Sequence, residues 1–183
     1  MKKLLTALVV LGICTGIVWA WSDSFTVTVT PLGERGVIID SSTYDFGNMG
    51  TGESAISTDS IPVKSTGTVS PLEYTIQGQN ATTWVLGPDG KVTPDTNDEI
   101  VLQALFQDTA TAPAAGDFGA ADTVTTAVQD VGDAAGEFEG TADMDDLGLL
   151  VTKHLYLRLS TPPTTSTEST QTFMIIINAE AAD

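Results

Sequence analysis

The stretch His154-Leu155-Tyr156-Leu157-Arg158-Leu159 decides the fold class, because its leucines alternate with polar and aromatic side chains. Successive side chains of a β-strand point to opposite faces, so strict alternation is typical of a strand that buries one face. The leucines would line the core, and His154 and Arg158 would lie on the other face. We therefore predict a β-strand here.

Strand-like runs occur on both sides of this stretch. They cover residues 25–30, 36–39, 55–64, 72–77, 83–86, 100–106 and 172–179. Residues 100–106 are apolar at most positions, which predicts burial on both faces. Pro62 cannot donate a hydrogen bond, which predicts an edge strand or a bulge in the run 55–64. Several short strands separated by glycine and proline turns predict an all-β fold, an antiparallel β-sandwich of the Ig-like or jelly-roll kind.

The last strand is apolar on both faces. Phe173, Ile175 and Ile177 would fill the core, and Met174 and Ile176 point the other way. Two interpretations stay open: a central strand covered on both sides, or a strand whose outer face meets another subunit.

Residues 109–148 differ in kind, being acidic and rich in alanine and glycine, and we interpret them as an insertion. Apolar residues recur there at three- or four-residue spacing, which would align them along a short helix. They are Phe118, Ala121, Val124, Val128 and Val131. An irregular surface lobe is the alternative.

The first twenty residues predict export. Lys2 and Lys3 precede an uncharged apolar run that ends at Ala20, the pattern of a signal peptide with cleavage after Ala20. An uncleaved membrane anchor is the alternative, and it would be the chain's one membrane contact. Cys14 follows Ile13 where a lipoprotein signal needs a small residue. We thus expect a signal peptide at 1–20 and a single sandwich domain at 21–183, secreted or on the cell surface.

Charge and cysteine content exclude several classes of protein. The formal net charge is −17, and such an acidic chain repels nucleic-acid backbones. Cys14 is the single cysteine, so a chain cleaved after Ala20 has no disulfide and no thiolate ligand.

Catalytic patterns are absent, and we expect no enzymatic activity. The single histidine, His154, has no nucleophile motif beside it, and no P-loop, dinucleotide or zinc signature occurs. We predict no cofactor, with calcium as the one candidate ligand. Asp143, Asp145 and Asp146 are the candidate metal residues, because calcium prefers clustered oxygen ligands.

A stretch near the predicted domain's start resembles bacterial Ig-like repeats. Residues 44–53 read YDFGNMGTGE, and they are followed by the strand IPVK at 61–64, the turn STG at 65–67 and PL at 71–72. Those repeats carry a DFG-x-v-x-x-G turn, a strand and an NTG turn, and here Ser65 replaces the asparagine. The resemblance covers about residues 40 to 78 and implies a sandwich.

The layout of the whole chain is loosely similar to the secreted TasA and camelysin-like β-sandwich proteins, which form matrix fibres. The likeness rests on a signal peptide, a strand at the start of the mature chain and an apolar final strand, and it implies assembly.

Two functions follow as predictions. The first is a structural subunit that polymerises with itself into an extracellular filament or surface layer. Its assembly residues would be Phe25, Val27 and Val29, on a first strand that could be donated to a neighbour, with Met174 and Ile176. The second is a secreted or surface-attached module that binds a glycan or a protein, with Trp84 as a candidate sugar contact.

Overall fold

The regular structure of this chain is almost entirely β. A computed structural model describes residues 34–41, 43–132 and 137–182. The strands are β1 (Arg35–Ile39), β2 (Ser54–Ile56), β3 (Ile61–Gly67), β4 (Leu72–Gln79), β5 (Val85–Leu86), β6 (Glu99–Gln107), β7 (Gln129–Val131), β8 (Thr152–Ser160) and β9 (Met174–Ala181). Two 3₁₀ turns, Ala115–Asp117 and Ala120–Asp122, are the helical elements of these ranges. The predicted all-β class is confirmed.

The strands form two sheets that pack face to face. The larger sheet has the order β1-β3-β8-β6-β5, and β2 pairs with β8 on the edge that β8 shares with β3. The smaller sheet has the order β7-β4-β9. Every strand pairing is antiparallel except the short one between β5 and β6. The predicted antiparallel sandwich is therefore confirmed.

Strand β6 is buried along its whole length, as its continuous apolar run predicts. Leu102 and Phe106 point between the sheets, where they meet residues of β4. Leu105 points to the outer face and packs with Phe118 and Tyr156. The larger sheet is therefore covered on both faces at its centre.

The core between the sheets is built by alternating side chains from both of them. Val63 and Leu155 come from the larger sheet, and Tyr74 and Ile76 from the smaller one. Burying each such apolar side chain stabilises the fold by roughly 1.5–3 kcal/mol. Tyr74 is fully buried, and this burial raises the pKa of its phenol to about 12.

Pro62 lies in an interior strand, so the predicted edge position is wrong. Strand β3 pairs with β1 on one side and β8 on the other. The Asp40 backbone N–H donates to the Pro62 carbonyl at 3.2 Å, just beyond the last β1 residue. In an antiparallel ladder the nitrogen and the carbonyl of one residue face the same neighbour. The missing Pro62 donor therefore falls at the end of β1, where little pairing is lost.

The run 55–64, predicted as one strand, divides into β2 and β3, and Ser57 keeps the chain bonded to β8 at the break. Ser57 is fully buried between them. Its backbone N–H donates to the Leu157 carbonyl at 2.8 Å, and its Oγ accepts from the Leu157 N–H at 3.0 Å. The hydroxyl thus replaces a backbone acceptor where the strand is interrupted, and β8 stays hydrogen-bonded.

The predicted helix in residues 109–148 is not formed, and its stripe divides between different surroundings. Val124 and Val131 are buried in the core between the sheets, Phe118 is buried in a separate cluster on the outer face of the larger sheet, and Val128 is 57% exposed. The helical turns are single 3₁₀ turns, and Val131 belongs to β7. Glycines and β-branched residues favour a helix weakly, so contacts with β6 and β4 decide the local structure.

This segment hydrogen-bonds to the edge of β6 that faces away from β8. The Val124 N–H donates to the Leu102 carbonyl at 2.8 Å, and the Phe106 N–H donates to the Phe138 carbonyl at 2.8 Å. We call residues 109–148 the covering segment. Asp122 holds it together, because its carboxylate accepts from the N–H groups of Gly119 and Phe138 at 2.5 and 3.0 Å.

Candidate functional site

The candidate site is the outer edge of β9, which we call the open edge. Among the described residues, β9 pairs with β4 alone. Ile175, Ile177 and Ala179 pack against the core, while Met174 is 57% exposed and Ile176 is half-buried. Of the two interpretations of this strand, the central one does not hold within the described ranges, where β9 ends its sheet.

The hydrogen-bonding direction of each β9 residue follows from one contact. The Ala182 N–H donates to the carbonyl of Pro71, the residue before β4, at 3.4 Å. This contact continues the β4–β9 register, in which Ala181 pairs with Leu72. Because the direction alternates along a strand, Asn178 faces β4 and its neighbours Ile177 and Ala179 face outward. The open edge therefore presents the N–H and carbonyl groups of Ile175, Ile177 and Ala179.

The open edge carries no charge over most of its length. Residues 169–179 contain no charged side chain, and the first is Glu180. Strand β1 ends the larger sheet within the described residues and lies alongside β9, but charged residues lie at both of its ends: Glu34 and Arg35 at the start and Asp40 after the last residue. Natural sheets protect exposed edges with charges, prolines or bulges. The edge of β9 lacks such protection between Met174 and Ala179.

The predicted donor residues Phe25, Val27 and Val29 lie outside the described residues. Their contribution to assembly stays a prediction, as does the signal peptide at 1–20. Within the described ranges, no helix is long and apolar enough to cross a membrane.

The predicted metal residues are partly brought together. Carboxylate oxygens of Asp143 and Asp145 lie within 4.8 Å of each other and of one from Glu139, whereas Asp146 is outside this group. Glu139 was not among the predicted residues, because it comes near Asp143 and Asp145 only through the turn at Met144, whose N–H donates to Glu139 Oε1 at 2.8 Å. Calcium takes six to eight oxygens, so these residues could supply half of a coordination shell. Calcium binding stays a prediction.

A second group of acidic residues binds partners within the protein. Lys91 forms ion pairs with Asp95 and Glu99, and the hydrogen bond that its ammonium donates to Asp95 is the main reason why the pKa of Lys91 is raised. Asp98 accepts from Ser166 Oγ at 2.5 Å and from the Ser166 N–H at 2.7 Å, which lowers its pKa. The Asp98–Ser166 contacts tie the loop before β6 to the loop before β9.

Trp84 is held by the loop before β9, next to the contact between Asp98 and Ser166. Its Nε1 donates to Thr165 Oγ1 at 2.9 Å, and its ring packs against the core. A half-buried ring held in this way offers little face for stacking on a sugar, so the structure adds no support for a glycan site at Trp84.

Two further features lie near opposite ends of β8, namely His154 near its start and a surface depression beside its last residue, Ser160. His154 Nδ1 lies 3.1 Å from Ser60 Oγ. A surface depression of about 100 Å³, lined by Glu53, Thr161 and Pro163 among others, is smaller than the roughly 300–1,000 Å³ of typical ligand pockets.

Comparison with known proteins adds no identity. No family model matches the chain, and no curated protein matches it. The resemblance to Ig-like repeats and to TasA and camelysin-like proteins therefore stays a prediction, although its DFG residues form a turn in which the Gly47 N–H donates to Asp45 Oδ1 at 2.8 Å.

Proposed function

We propose that this chain is an exported structural subunit that polymerises through β-strand contacts into an extracellular filament or surface layer. In this proposal, residues 24–30 of one copy pair with the open edge of β9 in the next copy. The observation that carries the proposal is the uncharged stretch of the β9 edge from Met174 to Ala179, which is unpaired on its outer side among the described residues. Export is supported by the signal-peptide pattern at 1–20.

The donor segment matches the open edge in chemistry. Residues 24–30 read SFTVTVT and carry no charge, so they alternate three apolar side chains with threonines. Paired beside β9, Phe25, Val27 and Val29 would extend the core-facing row of Ile175 and Ile177. The threonines would lie on the outer face, beside Met174 and Ile176.

Net charge favours this kind of contact. The chain has a formal net charge of −17 over all 183 residues, and copies of so acidic a chain repel one another, so contact through charged surfaces is costly. Backbone hydrogen bonds between two uncharged segments avoid that cost. They also produce a head-to-tail contact, and such a contact forms open helical arrays when its rotation does not close.

Pairing within one chain is the competing arrangement. Residues 31–34 alone separate the donor segment from β1, and β1 lies alongside β9. A donor that folded back onto its own β9 would give a stable monomer, so oligomeric state separates the two arrangements.

The experiment is electron microscopy and sedimentation of the exported protein with and without residues Trp21 to Thr30. We expect filaments from the full chain and folded monomers from the deleted one. A synthetic peptide of residues 22–30 should bind the deleted protein and leave it monomeric. Filaments that persist after the deletion, or a full-length chain that stays monomeric at all concentrations, would contradict strand donation.

A matched pair of substitutions separates strand chemistry from simple loss of sequence. Val27→Asp places a charge on the core-facing row, whereas Thr26→Asp places the same charge one residue away on the outer face. We expect Val27→Asp to abolish filaments and Thr26→Asp to leave most of them. Equal effects of both would show that the segment does not bind as an alternating strand.

A further inference from the structure

The turn after β4 contains an attachment sequence for a sugar. Asn80-Ala81-Thr82 has the form Asn-x-Thr, in which asparagine can accept an N-linked glycan. The other asparagines, Asn48, Asn97 and Asn178, lack Ser or Thr two positions later. Because a three-residue motif also occurs by chance, its structural surroundings decide whether it can be used.

The surroundings of Asn80 meet the needs of that modification. Asn80 and Thr82 are exposed, and both lie outside the strands, between Gln79 and Val85. Asn80 Oδ1 accepts from the Leu86 N–H at 2.9 Å, which orients the carboxamide. Its Nδ2, the atom that would carry the sugar, has no hydrogen-bond partner among the described residues. The Thr82 hydroxyl also has no hydrogen-bond partner among the described residues. Glycosylation would therefore break no hydrogen bond of either group within these ranges.

We propose that Asn80 is an N-glycosylation site of the exported protein. The proposal rests on the export part of the proposed function, since the donor is an oligosaccharide carried on a polyprenyl phosphate at the membrane. The Asn80 amide nitrogen forms a bond to the anomeric carbon of the first sugar and loses a proton. The bond from that carbon to the phosphate oxygen breaks, and the lipid phosphate leaves with the electron pair.

The position of Asn80 is compatible with strand donation. It follows Gln79, which pairs with Met174 at the start of β9. A glycan there would project from the end of the smaller sheet, and the outward hydrogen-bonding groups from Ile175 to Ala179 would stay accessible.

The test is the intact mass of the protein purified from the cells that produce it, with mapping of the peptide that contains Asn80. Thr82→Ala is the informative variant, because it removes the motif and leaves the bond between Asn80 and Leu86. Thr82→Ser keeps the motif, and Thr83→Ala changes a neighbouring threonine outside it. We expect added sugar mass on wild type, Thr82→Ser and Thr83→Ala, and the bare polypeptide mass for Thr82→Ala.

Two results would overturn the site and are distinguishable from failure of the proposed function. Exported, filament-forming protein at the bare polypeptide mass would remove the glycan and leave the filament proposal intact. Sugar mass retained by Thr82→Ala would place the modification elsewhere. A chain found in the cytosol at its bare mass would contradict export and glycosylation together.

Discussion

Two strand edges of this sandwich, those of β6 and β9, differ in whether their backbone groups have partners among the described residues. The edge of β6 is met in turn by β5, by residues near Val124 and by residues near Phe138. The edge of β9 has no partner among the described residues, and its exposed Met174 lies beside the equally apolar Ile176. An unpaired, uncharged strand edge invites pairing with another chain. The contrast supports the proposal that the β6 edge is completed within the fold and that the β9 edge takes a strand from another copy.

The largest expected effect comes from removing a side chain that holds the covering segment in place. Phe138 is fully buried in the core, so Phe138→Ala should lower the free energy of unfolding by about 3–5 kcal/mol. Met174→Ala, on the exposed side of β9, should change it by less than about 0.5 kcal/mol and weaken filaments instead. Urea denaturation and electron microscopy of both variants check this. A large loss of monomer stability in Met174→Ala would contradict the interface interpretation.

Prolines at adjacent positions of β9 test the direction of its hydrogen bonds. Asn178→Pro removes an N–H that faces β4, and it should destabilise the monomer by roughly 1–3 kcal/mol. Ala179→Pro removes an N–H that faces the open edge, so it should leave the monomer more stable than Asn178→Pro and block filament growth. Denaturation midpoints and sedimentation measure the two effects. Filaments of normal length from Ala179→Pro would exclude this edge as the acceptor.

The pH dependence of the covering segment comes from Asp122. Burial raises the pKa of this carboxyl to about 6, and the hydrogen bonds from the Gly119 and Phe138 N–H groups lower it by less than burial raises it. The folded state therefore holds the proton more tightly than the unfolded state. The contribution of Asp122 to the free energy of unfolding is complete below about pH 4 and is lost as the pH rises through about 6. Asp122→Asn should flatten this part of the stability curve. Urea midpoints from pH 4 to 7 measure the difference, and parallel curves for both proteins would contradict the role of Asp122.

The smallest expected effect is that of salt on filament growth. At an ionic strength of about 0.15 M, exposed charges are screened beyond about 8 Å. Repulsion between acidic copies should therefore weaken, and filaments should form at lower protein concentration than in dilute buffer. Light scattering across a salt series measures this. Dissolution of filaments by added salt would instead indicate that ion pairs hold the subunits together.

Local patterns predicted most of the strands but few of their neighbours. Alternation placed β4, β8 and β9, and the apolar run at 100–106 predicted a strand buried on both faces. The spacing of Phe118, Val124 and Val131 suggested a helix, because a stripe records only that residues are buried and not against what. Glu139 could not be grouped with Asp143 and Asp145, since a turn held by backbone contacts brings them together.

By itself, the sequence determined the all-β class, the acidic surface and the uncharged character of residues 24–30 and 169–179, because periodicity and charge are properties of neighbouring residues. Tertiary structure alone decided that Pro62 is interior, that residues 109–148 cover β6 and that β9 ends its sheet in the described ranges. Those outcomes depend on which strands pair. Pairing is set by contacts between residues far apart in the chain, and no local pattern contains them.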